Sequence, residues 1–195
     1  MKRVFDFTLS SIGLLLLSPL LMLIGVAIVV LDGVPIIFQQ ERVGYCGARF
    51  RIWKFRTMIV DAEQKRSLLT VGKDLRITKT GYWLRKYKLD ELPQLWNVVK
   101  GEMSLVGPRP EVPYYVNQYN DEQKRVLELI PGITDVASIK FRNESKYLSA
   151  VNDPEASYRD TVMPEKIRLN LQYAEQASLF QDLMVLFRTL TCIIH

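Results

Sequence analysis

Histidine is almost missing from this 195-residue chain: its single copy is His195, the last residue. That argues against a histidine base, a Ser/His/Asp triad or a histidine-built zinc site. Cysteine is nearly as scarce. Cys46 and Cys192 match no metal-ligand spacing and imply no disulfide framework, so both read as free thiols in a reducing compartment. The chain has no internal repeat, no low-complexity tract and no sharp linker. Its length suits one modest domain. Acid–base or nucleophilic chemistry therefore falls to carboxylates, lysines or hydroxyls. The formal charge is +5, which suits a phosphate-bearing partner without choosing among nucleic acid, anionic lipid and nucleotide.

Charge is absent altogether from Phe7 to Leu31, between Asp6 and Asp32. That run is long enough to cross a bilayer as a helix. A signal peptide is the competing reading, but the run exceeds a usual signal core and lacks a convincing small-x-small cleavage site. A simple crossing meets a charge conflict. Lys2 and Arg3 precede the run, while Arg42, Arg49, Arg51, Lys54 and Arg56 follow it. Both flanks therefore claim the cytoplasmic side. No second span returns the chain, because Leu183–Ile194 is short and contains Arg188. Ser18-Pro19 offers a solution, since proline bends a helix and Ser18 can satisfy a backbone group freed at the bend. The charge placement favours a re-entrant helix–break–helix over a straight span with a tolerated proline.

Beyond Pro35, residues 36–58 carry Ile, Phe and Trp around a Gly44/Gly47 turn region, and predict a β-hairpin. Residues 59–69 read as helix and 70–80 as loop. Residues 81–100 hold two short helical patterns meeting near Leu89-Asp90. Tyr82, Trp83, Leu84 and Tyr87, beside Arg85, Lys86 and Lys88, resemble an interfacial amphipathic element. An ordinary surface helix with its aromatics packed inward is the alternative. Gly107-Pro108-Arg109-Pro110 is a stiff turn, 111–130 reads as helix, and Glu165–Ile194 reads as amphipathic helix with a break near Ala177-Ser178.

Asp90-Glu91 is the main candidate for chemistry. Asp90 fits a helix N-cap with Pro93 in the first turn, so a purely structural role is the strong alternative. A carboxylate there would nevertheless be kept ionised, and phosphate favoured nearby. An aspartate nucleophile needs no general base, but it must approach an anionic diphosphate. That requires Mg2+ and fixed cations. Lys54, Arg56, Arg85, Arg109 and Arg142 are the candidate cations, each with a solvated surface charge as its alternative. Arg109 stands out because its flanking prolines restrict its backbone.

Together these motifs resemble the bacterial sugar transferases, more narrowly the small monotopic phosphoglycosyl transferases. The resemblance runs over nearly the whole chain. It includes Lys2-Arg3-x-x-Asp6, Ser18-Pro19, Gln40-x-Arg42-x-Gly44, Lys54-Phe55-Arg56-Thr57-Met58 and Asp90-Glu91-Leu92-Pro93-Gln94. It closes with Ser104-Leu105-Val106-Gly107-Pro108-Arg109-Pro110 and Pro131-Gly132-Ile133-Thr134. The resemblance implies a mixed α and β fold with a re-entrant helix and interfacial helices. It implies that Asp90 is the nucleophile forming a phospho-sugar intermediate with release of UMP, and that Glu91 is associated with Mg2+. Polyprenyl phosphate would then take the phospho-sugar. Arg85, Arg109 and Arg142 fall on positions implicated in substrate or phosphate binding. Two departures touch the sugar pocket. After Thr134 the family pattern reads Gly-Trp-Ala-Gln-Val-Asn-Gly-Arg, against Asp135-Val136-Ala137-Ser138-Ile139-Lys140-Phe141-Arg142 here. A family aspartate also stands where this chain has Asn170.

The resulting expectation is a single α+β domain: a re-entrant membrane helix at 1–33, turned at Ser18 and Pro19, continuous with a catalytic domain at 34–195. It would work on the cytoplasmic face of a bacterial inner membrane. The expected partners are a UDP-sugar, polyprenyl phosphate and membrane lipids. Asp90 and Glu91 would hold Mg2+; Lys54, Arg56, Arg85, Arg109 and Arg142 would bind substrate. Homo-oligomerisation is compatible with the sequence. A membrane-tethered nucleic-acid binder is a rival, but helix-turn-helix, zinc and RNP patterns are missing, so nucleic acid is not expected as a partner. A catalytically silent scaffold is the other rival, and the intact dyad speaks against it.

Overall fold

The computed structural model describes residues 1–60, 69–72 and 74–194. The chain opens with α1 (Lys2–Asp32), a helix of 31 residues containing Pro19. A hairpin follows, β1 (Ile37–Val43) against β2 (Arg49–Phe55), antiparallel with Ile37 opposite Phe55 and Val43 opposite Arg49. Its turn is Tyr45–Gly47, as the two glycines predict; Gly47 supplies a positive φ of 77°. Next come α2 (Lys79–Lys86), a tight turn at Leu89–Glu91, and α3 (Gln94–Lys100). β3 (Ser104–Val106) pairs in parallel with β4 (Gly132–Thr134). α4 (Val136–Lys140), α5 (Met163–Glu175) and α6 (Leu179–Ile194) complete the frame.

Most of the pattern-based expectations match these elements, including the break between α5 and α6. The expected helix over 111–130 does not form as one piece. It is divided into Pro113–Val116, Asp121–Lys124 and a tight turn at Arg125–Glu128. Asn120 restarts the chain through a capping box with Gln123, a local alternative that outcompetes continuation of the helix. The expected helix at 59–69 falls mostly on 61–68, outside the described residues. The β3–β4 pair was not foreseen, because three-residue strands carry too short a pattern to read.

The expected helix–break–helix at Ser18-Pro19 is not present: α1 is helical from Lys2 to Asp32, with a single backbone hydrogen bond missing at Pro19. Proline at position 19 removes the N–H that would have bonded the carbonyl of Leu15. The Ser18 hydroxyl donates to that carbonyl instead, at 2.8 Å. The vacancy is thus filled within the helix, as the sequence reading anticipated for Ser18.

Both ends of α1 dock on the same folded body. At the N-terminal end, buried Asp6 accepts the Ser104 hydroxyl at 2.7 Å, and Arg3 donates to the Met103 carbonyl at 3.2 Å. Lys2 pairs with Asp182 of α6 at 2.5 Å. At the other end, buried Arg56 donates to the carbonyls of Asp32 and Gly33, each at 2.6 Å, and Thr78 donates to the Asp32 carboxylate at 2.9 Å. Ile24 and Ile28 pack with Phe55 and Leu84. The middle of the helix has no such cover: Leu15, Leu16, Met22 and Leu23 are exposed, Leu15 by 75%. Further exposed apolar groups are Tyr82, Trp83 and Tyr87 around α2, and Phe180, Leu183, Phe187 and Leu190 on α6. The aromatics of α2 therefore do not pack inward; Leu84 alone of that set is buried.

Two further apolar clusters lie in the part of the chain after α1. One joins Ile52, Val98, Met103, Leu105, Val106 and Val185. The other gathers Tyr115, Tyr158, Val162, Met163 and Ile167 with their neighbours. β3 and β4 approach so closely that a Cβ on Gly132 would lie 2.1 Å from the Gly107 nitrogen, and one on Gly107 would lie 2.3 Å from the Ile130 carbonyl. These glycines let the segment carrying Arg109 lie against β4. Gly132→Ala should therefore cost about 2 kcal/mol or more of stability, read as a lowered denaturation midpoint of the detergent-solubilised protein.

Candidate functional site

The Asp90-Glu91 dyad lies on the tight turn between α2 and α3. Lys88 adopts the left-handed conformation, φ 54° and ψ 20°, and turns the chain into Leu89–Glu91. Asp90 is consequently not the N-cap of a helix, as the sequence had indicated. Helical turning begins one residue before it, and Pro93 occupies the cap of α3. The carboxylate is thereby released from capping. Asp90 is 6% exposed, and its buried Oδ1 has no hydrogen-bond partner. Such an orphaned acceptor is costly unless a ligand completes it.

Glu91 is held quite differently. Arg109 grips both its oxygens, Nη1 to Oε2 at 3.1 Å and Nη2 to Oε1 by a shorter contact. Lys54, projecting from β2, reaches Oε1 at 3.2 Å. The position of Lys54 relative to the dyad is set by buried Asn97 of α3. Asn97 accepts the Trp53 N–H at 3.0 Å and donates to the Arg51 carbonyl at 2.8 Å, joining α3 to β2 beside the turn. Arg85 donates to the Thr57 hydroxyl at 2.8 Å, and its charge acts on Asp90.

The two neighbouring carboxylates titrate in opposite directions. Burial and the adjacent Glu91 charge push Asp90 above the usual carboxylate range, against the pull of Lys54, Lys88 and Arg85. This differs from the ordinary carboxylate expected from the sequence, because the turn buries Asp90 beside a like charge. Burial also raises Glu91, but the Arg109 and Lys54 charges and the Arg109 hydrogen bonds outweigh it and hold Glu91 well below its usual value. Burial lowers Lys54 to about 8 despite the opposing Glu91 charge. Arg109 is raised, chiefly by Glu91.

Of the cations named from sequence, Lys54 and Arg109 reach Glu91, and Arg85 stands beside Asp90. Arg56 lies elsewhere, clamped to the end of α1. Arg142 is exposed just past α4 and joins no ion pair among the described residues. Arg42 is not among the cations named from sequence. It is partly buried, donates to the Pro110 carbonyl at 3.1 Å and lies 3.9 Å from Glu111. Its place in Gln40-x-Arg42-x-Gly44 was the available signal. Asp135 was likewise noted only as a departure from pattern. It accepts the Arg109 main-chain N–H at 3.1 Å.

Lys54 yields a pH prediction. The unfolded lysine, near 10.5, still binds its proton where the folded one, near 8, has released it. Stability gained through this group therefore rises with pH between those values. Measured against Lys54→Met, the wild-type unfolding free energy should climb by about 2 kcal/mol between pH 8 and 10.5. Parallel curves for the two proteins would show that Lys54 is not titrating in that range.

Comparison with known proteins now bears on this arrangement. The bacterial sugar transferase family model matches residues 1–195. The chain is 39% identical to the galactosyl transferase CpsE of Streptococcus agalactiae, over 99% of this chain and 42% of that protein. It is 35% identical to the UDP-glucose:undecaprenyl-phosphate glucose-1-phosphate transferase of Klebsiella pneumoniae, over 96% of this chain and 39% of that protein. With the exopolysaccharide production protein ExoY of Rhizobium meliloti it shares 34% identity, over 98% of this chain and 84% of that protein. It thus spans about two fifths of the first two relatives and most of the third. A match over every residue, including the dyad turn and the Arg109 loop, places this chain in the bacterial sugar transferase family.

Proposed function

We propose that this chain transfers a sugar-1-phosphate from a UDP-sugar to polyprenyl phosphate, through a covalent intermediate on Asp90. The observation that carries this reading is the buried Asp90 carboxylate with an unpartnered oxygen, set beside Glu91 and its two cations. Relatives whose names specify UDP-sugars and undecaprenyl phosphate support the choice of substrates.

In the first step an Asp90 oxygen attacks the β-phosphorus of the donor. The bond from that phosphorus to the bridging oxygen breaks, and UMP leaves with the electron pair. In the second step a phosphate oxygen of the lipid attacks the same phosphorus and Asp90 departs as carboxylate, leaving polyprenyl-diphosphate-sugar. Ionised Asp90 is required to attack, so approach of donor-neutralising cations near it favours the reactive form. Arg109, Lys54 and Arg85 supply fixed positive charge for the phosphoryl oxygens.

Mg2+ fits this site in a limited sense. Among the described residues there is no group of three or more His, Cys, Asp or Glu side chains able to hold a metal. Mg2+ is commonly held by one or two carboxylates plus substrate phosphates and water, and the orphaned Asp90 oxygen suits that mode. Asp90 would hold it through that oxygen, and Glu91 would join by giving up a contact with Arg109 or Lys54; when bound it would neutralise diphosphate charge as a Lewis acid.

The membrane reading rests on α1, a helix long and apolar enough to cross a bilayer. Its two ends bind one folded body, so an α1 that enters and leaves by a single membrane face accommodates both the docking and the basic flanks. That face is the cytoplasmic one, and the exposed aromatics of α2 with the apolar face of α6 lie at the interface.

Two experiments test these readings. Asp90→Asn, similar in shape but without the anionic oxygen, should lower turnover by a factor of about a thousand or more while the protein stays folded. Wild type given labelled UDP-sugar without lipid should retain label on the Asp90 peptide; an unlabelled peptide and sequential kinetics would point to direct attack by the lipid. For topology, cysteines placed near residues 2 and 40 should both resist an impermeant reagent in intact cells. Pro19→Leu should favour a spanning helix and expose one of them.

A further inference from the structure

Asp135 is buried, and its carboxylate serves three donors. Oδ1 accepts the Ser138 N–H at 2.5 Å, which caps α4. Oδ2 is not needed for the cap. It accepts the Arg109 N–H at 3.1 Å and the Asn170 side-chain amide of α5 at 2.8 Å. Pro108 and Pro110 have no N–H, so Arg109 carries the one main-chain donor in that tripeptide. The loop is therefore gripped from two sides, by Asp135 at the Arg109 N–H and by Arg42 at the Pro110 carbonyl. The residue so fixed is the one whose guanidinium forks around Glu91.

We propose that Asp135, oriented by Asn170, is a positioning residue that sets the Arg109 guanidinium for the donor diphosphate. The proposal rests on the reading of Arg109 as a donor-binding cation. Asp135 and Asn170 are matched as acceptor and donor. A carboxylate at both positions would bring two negative charges within hydrogen-bond range, and one would have to take up a proton. A carboxylate at 135 thus calls for a neutral donor at 170, which asparagine supplies.

The full chain in detergent tests this with Asp135→Asn, Asn170→Asp and the double variant. Asparagine caps helices nearly as well as aspartate, so Asp135→Asn should stay folded. Hydrogen exchange of the peptide 104–111 reads loop order without reference to activity, and steady-state kinetics read donor and acceptor KM separately. Each single variant should speed exchange there and raise donor KM about tenfold, with acceptor KM unchanged. The double variant restores an amide–carboxylate contact between 135 and 170 but not the acceptor for the Arg109 N–H, so it should lose as much as Asp135→Asn and less than the sum of the two singles. Acidification should narrow the gap between Asn170→Asp and wild type, as one of the abutting carboxylates is protonated. Unchanged exchange in both singles, a double variant restored to wild-type exchange, or losses that simply add in the double would overturn the proposal. Arg109→Ala is the control for the underlying reading: a normal donor KM there removes Arg109 from the donor site, while the exchange measurement still judges the positioning claim.

Discussion

Glu91, buried between Arg109 and Lys54, is the interaction on which the site depends. Taking a carboxylate out of water is expensive, and only close opposite charge with hydrogen bonds offsets it. Here one side is a bidentate arginine and the other a lysine from a different element. Three separate parts of the chain are therefore tied to one side chain: the turn after α2, the hairpin strand β2 and the loop after β3. A buried pair of this kind does little for net stability compared with apolar packing, but it fixes geometry sharply, because either partner alone would be left as an unpaired charge. Beside it, Asp90 is the carboxylate that nothing neutralises directly. Two adjacent acids are thus driven apart in affinity for protons, a pattern associated with divided roles in a reactive site.

The apolar helix and the polar site belong to one construction. Asp6 and Arg3 join the start of α1 to the neighbourhood of β3, whereas Arg56 and Thr78 hold its end. β3 leads directly into the Arg109 loop, and Arg56 follows Lys54 by two residues. The contacts that seat the helix therefore neighbour the contacts that build the charge cluster. The reaction proposed above, between a lipid-soluble acceptor and a water-soluble donor, needs such proximity, since its reacting phosphates must meet at the edge of the hydrocarbon layer.

Much of this was legible in the chain itself. The uncharged run from Phe7 to Leu31, the hairpin with its glycine turn, the α5–α6 break and the dyad all have patterns longer than a few residues or chemically distinctive. What failed was local. Asp90 looked like a cap because a carboxylate three residues before a proline commonly is one; a left-handed Lys88 moved the turn, and no side-chain pattern announces that. The helix over 111–130 was lost to an asparagine capping box within it. Arg56, two residues after Lys54 in the same motif, went to the helix end because β2 stops at Phe55, so the alternation that would set it on the Lys54 side does not extend to it.

The sequence by itself determined which chemistry was available: with one terminal histidine and no metal-binding cysteine set, carboxylates and fixed cations had to carry it. It also determined that an apolar segment would sit among basic flanks. Only the tertiary structure decided which cations meet the dyad, that Asp90 is left unpartnered while Glu91 is saturated, and that Asp135 and Asn170 touch. These are contacts between residues 37 positions apart for Lys54 with Glu91 and 35 apart for Asp135 with Asn170. Their energies depend on burial and direction, which exist only once distant segments have packed against one another.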